Sequence, residues 1–106
     1  MDAPQQSVTL SCLADTGATD TVFPADVLDR LGMPRAHRRE YELADGRTVS
    51  MDIGFGLLEF EGERTTADIV FGEPGTEPIL GVTALESTGF VVDPRSRTLR
   101  KRAIRL

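Results

Sequence analysis

Asp15-Thr16-Gly17-Ala18 is the stretch of this chain whose residue types and spacing could do acid–base chemistry. It follows directly on Val8-Thr9-Leu10-Ser11-Cys12-Leu13-Ala14, an alternating run that reads as a strand entering a core. An aspartate at the end of such a strand sheds part of its hydration, which resists ionisation and favours proton transfer. Gly17 lets the chain turn tightly and leaves the carboxylate accessible, while the Thr16 hydroxyl can bond to nearby backbone or across an interface. As a bare tripeptide the pattern also serves ordinary turns, so its meaning depends on its surroundings. His37, the single histidine, lies in the basic stretch Arg35-Ala36-His37-Arg38-Arg39, and neither a Ser-His-Asp or Cys-His pairing nor a metal-ligand cluster is evident. Cys12 is alone, so no internal disulfide forms, and it reads as a small strand residue rather than a redox switch. An aspartyl-phosphate enzyme would need a second acid two residues on and a glycine-rich phosphate loop, and the sequence has neither.

The elements that must position Asp15 are short and mostly β. Phe23 to Gly32 predicts one helix, with Pro24 suited to its first turn, apolar Phe23, Val27, Leu28 and Leu31, and Gly32 as terminator. Tyr41 to Val49 predicts a hairpin with a type I′ turn at Asp45-Gly46. Strands are expected at Ile53 to Phe60 and Thr66 to Phe71, joined by Glu61-Gly62-Glu63, with Gly54 and Gly56 marking a bulge or a close backbone approach. After a loop from Gly72 to Pro78 come a brief strand, Ile79-Leu80-Gly81, a short helix from Val82 to Ser87 stopped by Gly89, and Phe90-Val91-Val92. A turn at Asp93-Pro94-Arg95-Ser96 leads to a last strand, Thr98-Leu99-Arg100. Many short strands at regular spacing point to a small closed or folded-over sheet.

Composition bounds the classes of function. With 106 residues, 40% of them hydrophobic and 27% charged, residues 1–106 are expected to form a single domain. The 17 acidic residues all lie within residues 1–94 against 6 basic ones, whereas residues 95–106 carry 6 basic residues and no acid. An acidic body argues against nucleic acid as a partner, since phosphate contacts need positive charge over a broad face. The basic tail reads as a solvated or edge strand. No apolar run is long enough to span a bilayer, and Met1 to Gln6 lacks the basic and apolar regions of a signal peptide, so a cytoplasmic location is expected.

Taken together, the apolar strand running into Asp15-Thr16-Gly17-Ala18, the central hairpin with Gly46 at its tip, and Ile79-Leu80-Gly81 ahead of a short helix resemble the retropepsin-like aspartic proteases, the single-domain relatives of retroviral proteases. The likeness extends from about Leu10 to Leu99 and includes Gly62 to Gly72, which resembles the segment joining flap to threading loop in that family. It implies a mostly β fold, a small barrel or folded sheet with one or two short helices and a flap hairpin, assembled as a homodimer. It implies an aspartic endopeptidase with Asp15, Thr16 and Gly17 in the catalytic loop. Leu13, Ala18, Val22 and Ile79 would line apolar subsites, Leu43, Ala44, Asp45 and Gly46 would form the flap over a bound peptide, and Glu77 would border a side pocket.

Carboxylate-driven peptide hydrolysis needs two carboxyl groups, one ionised to activate water and one protonated to polarise the carbonyl. The chain carries one Asp-Thr-Gly, so the second must come from another copy across a two-fold axis. Such chemistry needs no metal or organic cofactor. Thr19 and Val82 stand where retroviral enzymes commonly carry an acid and an arginine, so that ion pair cannot form. Only 14 residues precede Asp15, and the N-terminal strand that helps knit the retroviral dimer is expected to be short or missing. The alternative from another class is a non-catalytic dimeric peptide-binding or dimerisation module on the same fold; the intact Asp-Thr-Gly favours catalysis.

Overall fold

Alternation of polar and apolar residues at the start of Thr48–Phe60, and the β-branched and aromatic run Ile69-Val70-Phe71 within Glu63–Gly72, produce the two longest strands, and every other element is arranged around that pair. The structure is a computed structural model that describes residues 7–93, 95, 96, 98–104 and 106. In chain order the elements are β1 (Leu13–Asp15), β2 (Thr21–Pro24), α1 (Ala25–Leu31), β3 (His37–Glu42), β4 (Thr48–Phe60), β5 (Glu63–Gly72), β6 (Ile79–Gly81), α2 (Val82–Ser87), β7 (Phe90–Asp93) and β8 (Thr98–Lys101). Six strands form one sheet in the order β1-β6-β2-β5-β4-β3, and β7 and β8 pair separately. β1 runs parallel to β6 and β2 parallel to β5; the remaining pairs are antiparallel. The fold is mostly β with two short helices, as expected.

Register divides the large sheet into two faces, because residues paired across strands point the same way. Ala14, Leu80, Phe23, Ile69, Phe71, Ala67, Leu58 and Phe60 lie on one face and pack with Leu28 of α1, Ala84 and Leu85 of α2, and Phe90 of β7. The other face carries the row Leu13, Ile79, Val22, Val70, Ile53 and His37, each partnered with the next. Asp15 has the same parity as Leu13 and so belongs to this second face, away from the core.

Several expectations are corrected. The strand anticipated over Val8 to Ala14 is confined to Leu13–Asp15, because its neighbour β6 is only three residues long. Phe23 and Pro24 extend β2, pairing with Phe71 and Gly72, and α1 starts at Ala25 with Pro24 as its extended N-cap. At the other end Gly32 takes a left-handed φ of 78°, and its N–H and that of Met33 close onto Asp29 and Leu28. Gly54 and Gly56 lie in an unbroken register, so they mark a close approach and no bulge. A Cβ there would lie 2.8 Å from the Met33 sulfur or 2.7 Å from its terminal methyl.

The two hairpin turns also differ in kind. At the β3–β4 connection the Gly46 N–H donates to the Leu43 carbonyl at 2.9 Å and the Leu43 N–H to that of Arg47 at 2.7 Å. Only Gly46, at φ 88°, is left-handed there. This is a three-residue loop ending in a glycine bulge, not the type I′ turn expected. Asp45 stays right-handed because its carboxylate accepts the Arg47 N–H at 3.1 Å and the Arg47 Nε at 2.7 Å. The two-residue left-handed turn is instead at Glu61 and Gly62, with φ of 50° and 77°. α2 spans Val82–Ser87 as expected. In the turn after β7 the Asp93 carboxylate accepts the backbone N–H groups of Arg95 and Ser96; Pro94 lies outside the described residues.

Candidate active site

β1 ends at Asp15, where register places it beside Gly81 of β6. The close fit depends on glycine at position 81: a Cβ there would fall 2.5 Å from the Asp20 carbonyl carbon and 2.7 Å from the Thr19 oxygen. The Gly81 N–H donates to the hydroxyl of Thr21, a buried side chain. The Val82 and Thr83 N–H groups, at the start of α2, donate to the Ala18 and Thr19 carbonyls at 2.8 and 3.2 Å. The loop after Asp15 is therefore held by main-chain bonds to β6 and α2, next to Thr19 and Val82, whose side chains cannot form an ion pair.

Within the loop, Asp15 Oδ1 accepts the Gly17 N–H at 2.9 Å and the Asp15 carbonyl accepts the Ala18 N–H at 3.2 Å. The first bond holds one carboxylate oxygen and the second closes the turn, and among the described residues no hydrogen bond engages the other carboxylate oxygen. Asp15 is half-buried and Thr16 and Gly17 are exposed. Among the described residues no hydrogen bond within the chain engages the Thr16 hydroxyl, which removes turn capping as its role. Leu13, 50% exposed, stands beside half-buried Ile79 and Val22 in the cross-strand row. The expected subsite residues Leu13, Val22 and Ile79 are thus neighbours on one face with Asp15, and Ala18 lies in the loop beyond it.

Glu77 is exposed, one residue before Pro78, whose carbonyl accepts the Leu13 N–H at 2.9 Å. Its loop runs past the start of β1. The hairpin tip Leu43-Ala44-Asp45-Gly46 is mostly solvent-facing, and the backbone N–H and then the guanidinium of Arg47 hold the Asp45 carboxyl below the usual carboxylate range. Cys12, expected as a strand residue, instead lies just before β1 and is exposed, and partial desolvation pushes its thiol up.

Sequence reasoning missed a cluster that ties the hairpin to this region. Arg39 and Tyr41 lie on β3 at the sheet edge, and Asp20 immediately precedes β2, three strands away. In a flat sheet these would be separated by about 14 Å. Yet Asp20 Oδ2 accepts Arg39 Nη1 at 3.0 Å and the Tyr41 hydroxyl at 2.6 Å, and Asp68 Oδ2 of β5 accepts Arg39 Nη2 at 2.9 Å. The sheet therefore curls towards the face that carries Asp15, Leu13, Val22 and Ile79, drawing β3 towards the start of β2. Burial, followed by the bond to Asp20, pushes the Tyr41 phenol up to about 12, and the bond to Asp68 is the chief reason that Arg39 holds its charge more firmly than usual. The signal in the sequence was faint: alternating Arg39 and Tyr41 share a strand face, but nothing local named Asp20 as their partner.

Among the described residues no helix is long and apolar enough to cross a membrane. The family model described as aspartyl protease matches residues 5–84, a span that holds the Asp15 loop, the curled hairpin, β6 and the start of α2. No curated protein matches the chain closely. With most of its length inside that match, and with Asp-Thr-Gly on the open face to which the fold delivers it, the chain belongs to the aspartyl protease family, of the retropepsin-like type.

Proposed function

We propose that the chain is an aspartic endopeptidase that works as a homodimer, residues 1–106 forming one domain, with the Asp15 carboxyls of two copies facing each other. The observation that carries this reading is the placement of a single Asp-Thr-Gly on an open, partly apolar face in a member of the aspartyl protease family. One chain offers one such carboxyl, and the exposed Leu13 and Thr16 beside it suit contact with a second copy and with a peptide.

In this scheme a water held between the two carboxyls gives a proton to the ionised Asp15 as its oxygen attacks the scissile carbonyl. The protonated Asp15 donates a hydrogen bond to the oxygen on which negative charge develops. Collapse of the tetrahedral intermediate breaks the C–N bond, the leaving nitrogen takes a proton from the pair, and the dyad returns to its singly protonated state. Thr16, with a hydroxyl unengaged within the described chain, bonds across the two-fold axis. The peptide binds extended, as an added strand over Leu13, Ala18, Val22 and Ile79, and the Leu43-Ala44-Asp45-Gly46 tip serves as a flap that closes over it. Glu77 selects a basic or polar side chain at the adjoining pocket.

Incubation with a mixed peptide pool tests the reading. Wild type cleaves it, and Asp15→Asn is slower by about 10²–10⁴-fold, the range of general acid–base catalysis. Equal cleavage by both would end the aspartic mechanism. If both leave the pool intact while binding peptide as dimers, the chain is a binding module instead. Cleavage-site profiles of wild type and Glu77→Gln should differ in the preference for basic residues; identical profiles would remove that role from Glu77.

A further inference from the structure

Among the described residues the Thr48–Asp52 part of β4 pairs only with β3, because β5 takes up pairing with β4 from Ile53 onward. β3 is an edge strand, hydrogen-bonded to β4 and, among the described residues, with no strand on its other side. Its side chains supply the missing attachment. Asp20, whose side chain is 13% exposed, accepts both the Arg39 guanidinium and the Tyr41 hydroxyl on one oxygen, while the second amino group of Arg39 reaches Asp68 and lies 3.2 Å from His37 Nε2. Asp20 itself is firmly based, since the residues on either side of it are fixed by the Thr19 carbonyl bond to Thr83 and the Thr21 hydroxyl bond to Gly81.

From this geometry we propose that Asp20, Arg39 and Tyr41 form a latch that sets the resting position of the Leu43–Gly46 tip over the Asp15 face, making Arg39 and Tyr41 positioning residues for peptide binding. The proposal rests on the reading of that hairpin as the element that closes over substrate. The latch acts at a distance along the arm: Tyr41 lies one residue from the end of β3, and Leu43, two residues on from Tyr41, opens the turn that β3 leads into. Arg39 and Asp68 remain 37% and 34% exposed beside a cavity of about 360 Å³ that Asp20 and Asp68 help to line. Water therefore reaches the ion pairs and weakens them, which suits a contact that opens and recloses rather than a permanent staple.

Hydrogen exchange of the full chain and peptide-cleavage kinetics test this together. Tyr41→Phe removes one hydroxyl and keeps the ring, so it tests the latch without endangering the fold; Arg39→Gln removes both ion pairs, and Arg39→Lys restores the charge but not the two-pronged reach. Exchange at the Leu43 and Gly46 amides should rise about fivefold in Tyr41→Phe and more in Arg39→Gln, with Arg39→Lys between wild type and Arg39→Gln and the β2–β5 core unchanged. KM should rise about threefold or more while kcat stays within about twofold. Unchanged exchange at the tip overturns the latch, and faster exchange with an unaltered KM overturns its positioning role. Should wild type cleave no peptide at all, the protease reading fails on its own, and the exchange data still decide whether the latch holds the hairpin.

Discussion

Asp20 Oδ2 receives a guanidinium and a phenol at once, and the phenol records its environment in a measurable way. Tyr41 is the only tyrosine in a chain without tryptophan, so the rise in absorbance near 295 nm at alkaline pH reports one group. Burial and the neighbouring Asp20 carboxylate favour the neutral phenol, raising its folded pKa to about 12 against about 10 when unfolded. Because the folded state holds this proton more tightly, the associated stability is fully present below pH ~10 and is lost as pH rises towards ~12. The expected titration midpoint is near 12 in buffer and near 10 in concentrated urea, and Tyr41→Phe should abolish the dependence of melting temperature on pH attributable to this group. A folded-state midpoint near 10 would mean that the phenol is not held by Asp20. Asp15 is different in kind, since its decisive neighbour is expected in another copy of the chain.

Glycines set how closely the strands approach, and their neighbours rank the cost of replacing them. At Gly81 a methyl group would meet main-chain atoms of Thr19 and Asp20, which can yield only if β6 moves away from the Asp15 loop. At Gly56 it would meet the end of the Met33 side chain and the Ile69 terminal methyl, both able to change rotamer. Gly81→Ala should therefore destabilise the fold by about 3 kcal/mol or more and Gly56→Ala by about 1 kcal/mol, as urea titrations would show. Equal losses would mean that the β6 backbone is not so confined. Much of this element level was legible in advance. The apolar run and glycine stop of α2, and the β-branched and aromatic residues of β4 and β5, are local signals that need only neighbouring residues. β1 was overextended because strand length depends on the partner strand, and the Asp45-Gly46 turn was misassigned because the Arg47 backbone N–H and Nε, both donating to the Asp45 carboxylate, favour a longer loop.

For the whole molecule, assembly and activity should be coupled. Below the dimer dissociation constant the cleavage rate should scale with the square of chain concentration, whereas a strictly monomeric species cleaving with first-order dependence would refute the shared site. Activity should be bell-shaped in pH, with its optimum on the acidic side of neutral, lost when both facing carboxyls are protonated and again when both are ionised. Like-charge repulsion should loosen the dimer on the alkaline limb, so rate and dimer fraction need to be followed on the same pH series. Residues 15–18, their apolar approach and the order of elements were present in the sequence, because they rest on residue type and short-range pattern. The curl of the sheet, the row of Leu13, Ile79 and Val22 beside Asp15, and the union of Asp20, Asp68, Arg39 and Tyr41 were decided only by the tertiary structure. Those contacts join residues 19 to 66 positions apart, where pairing depends on how strands are ordered and twisted as a set and no local propensity carries that information.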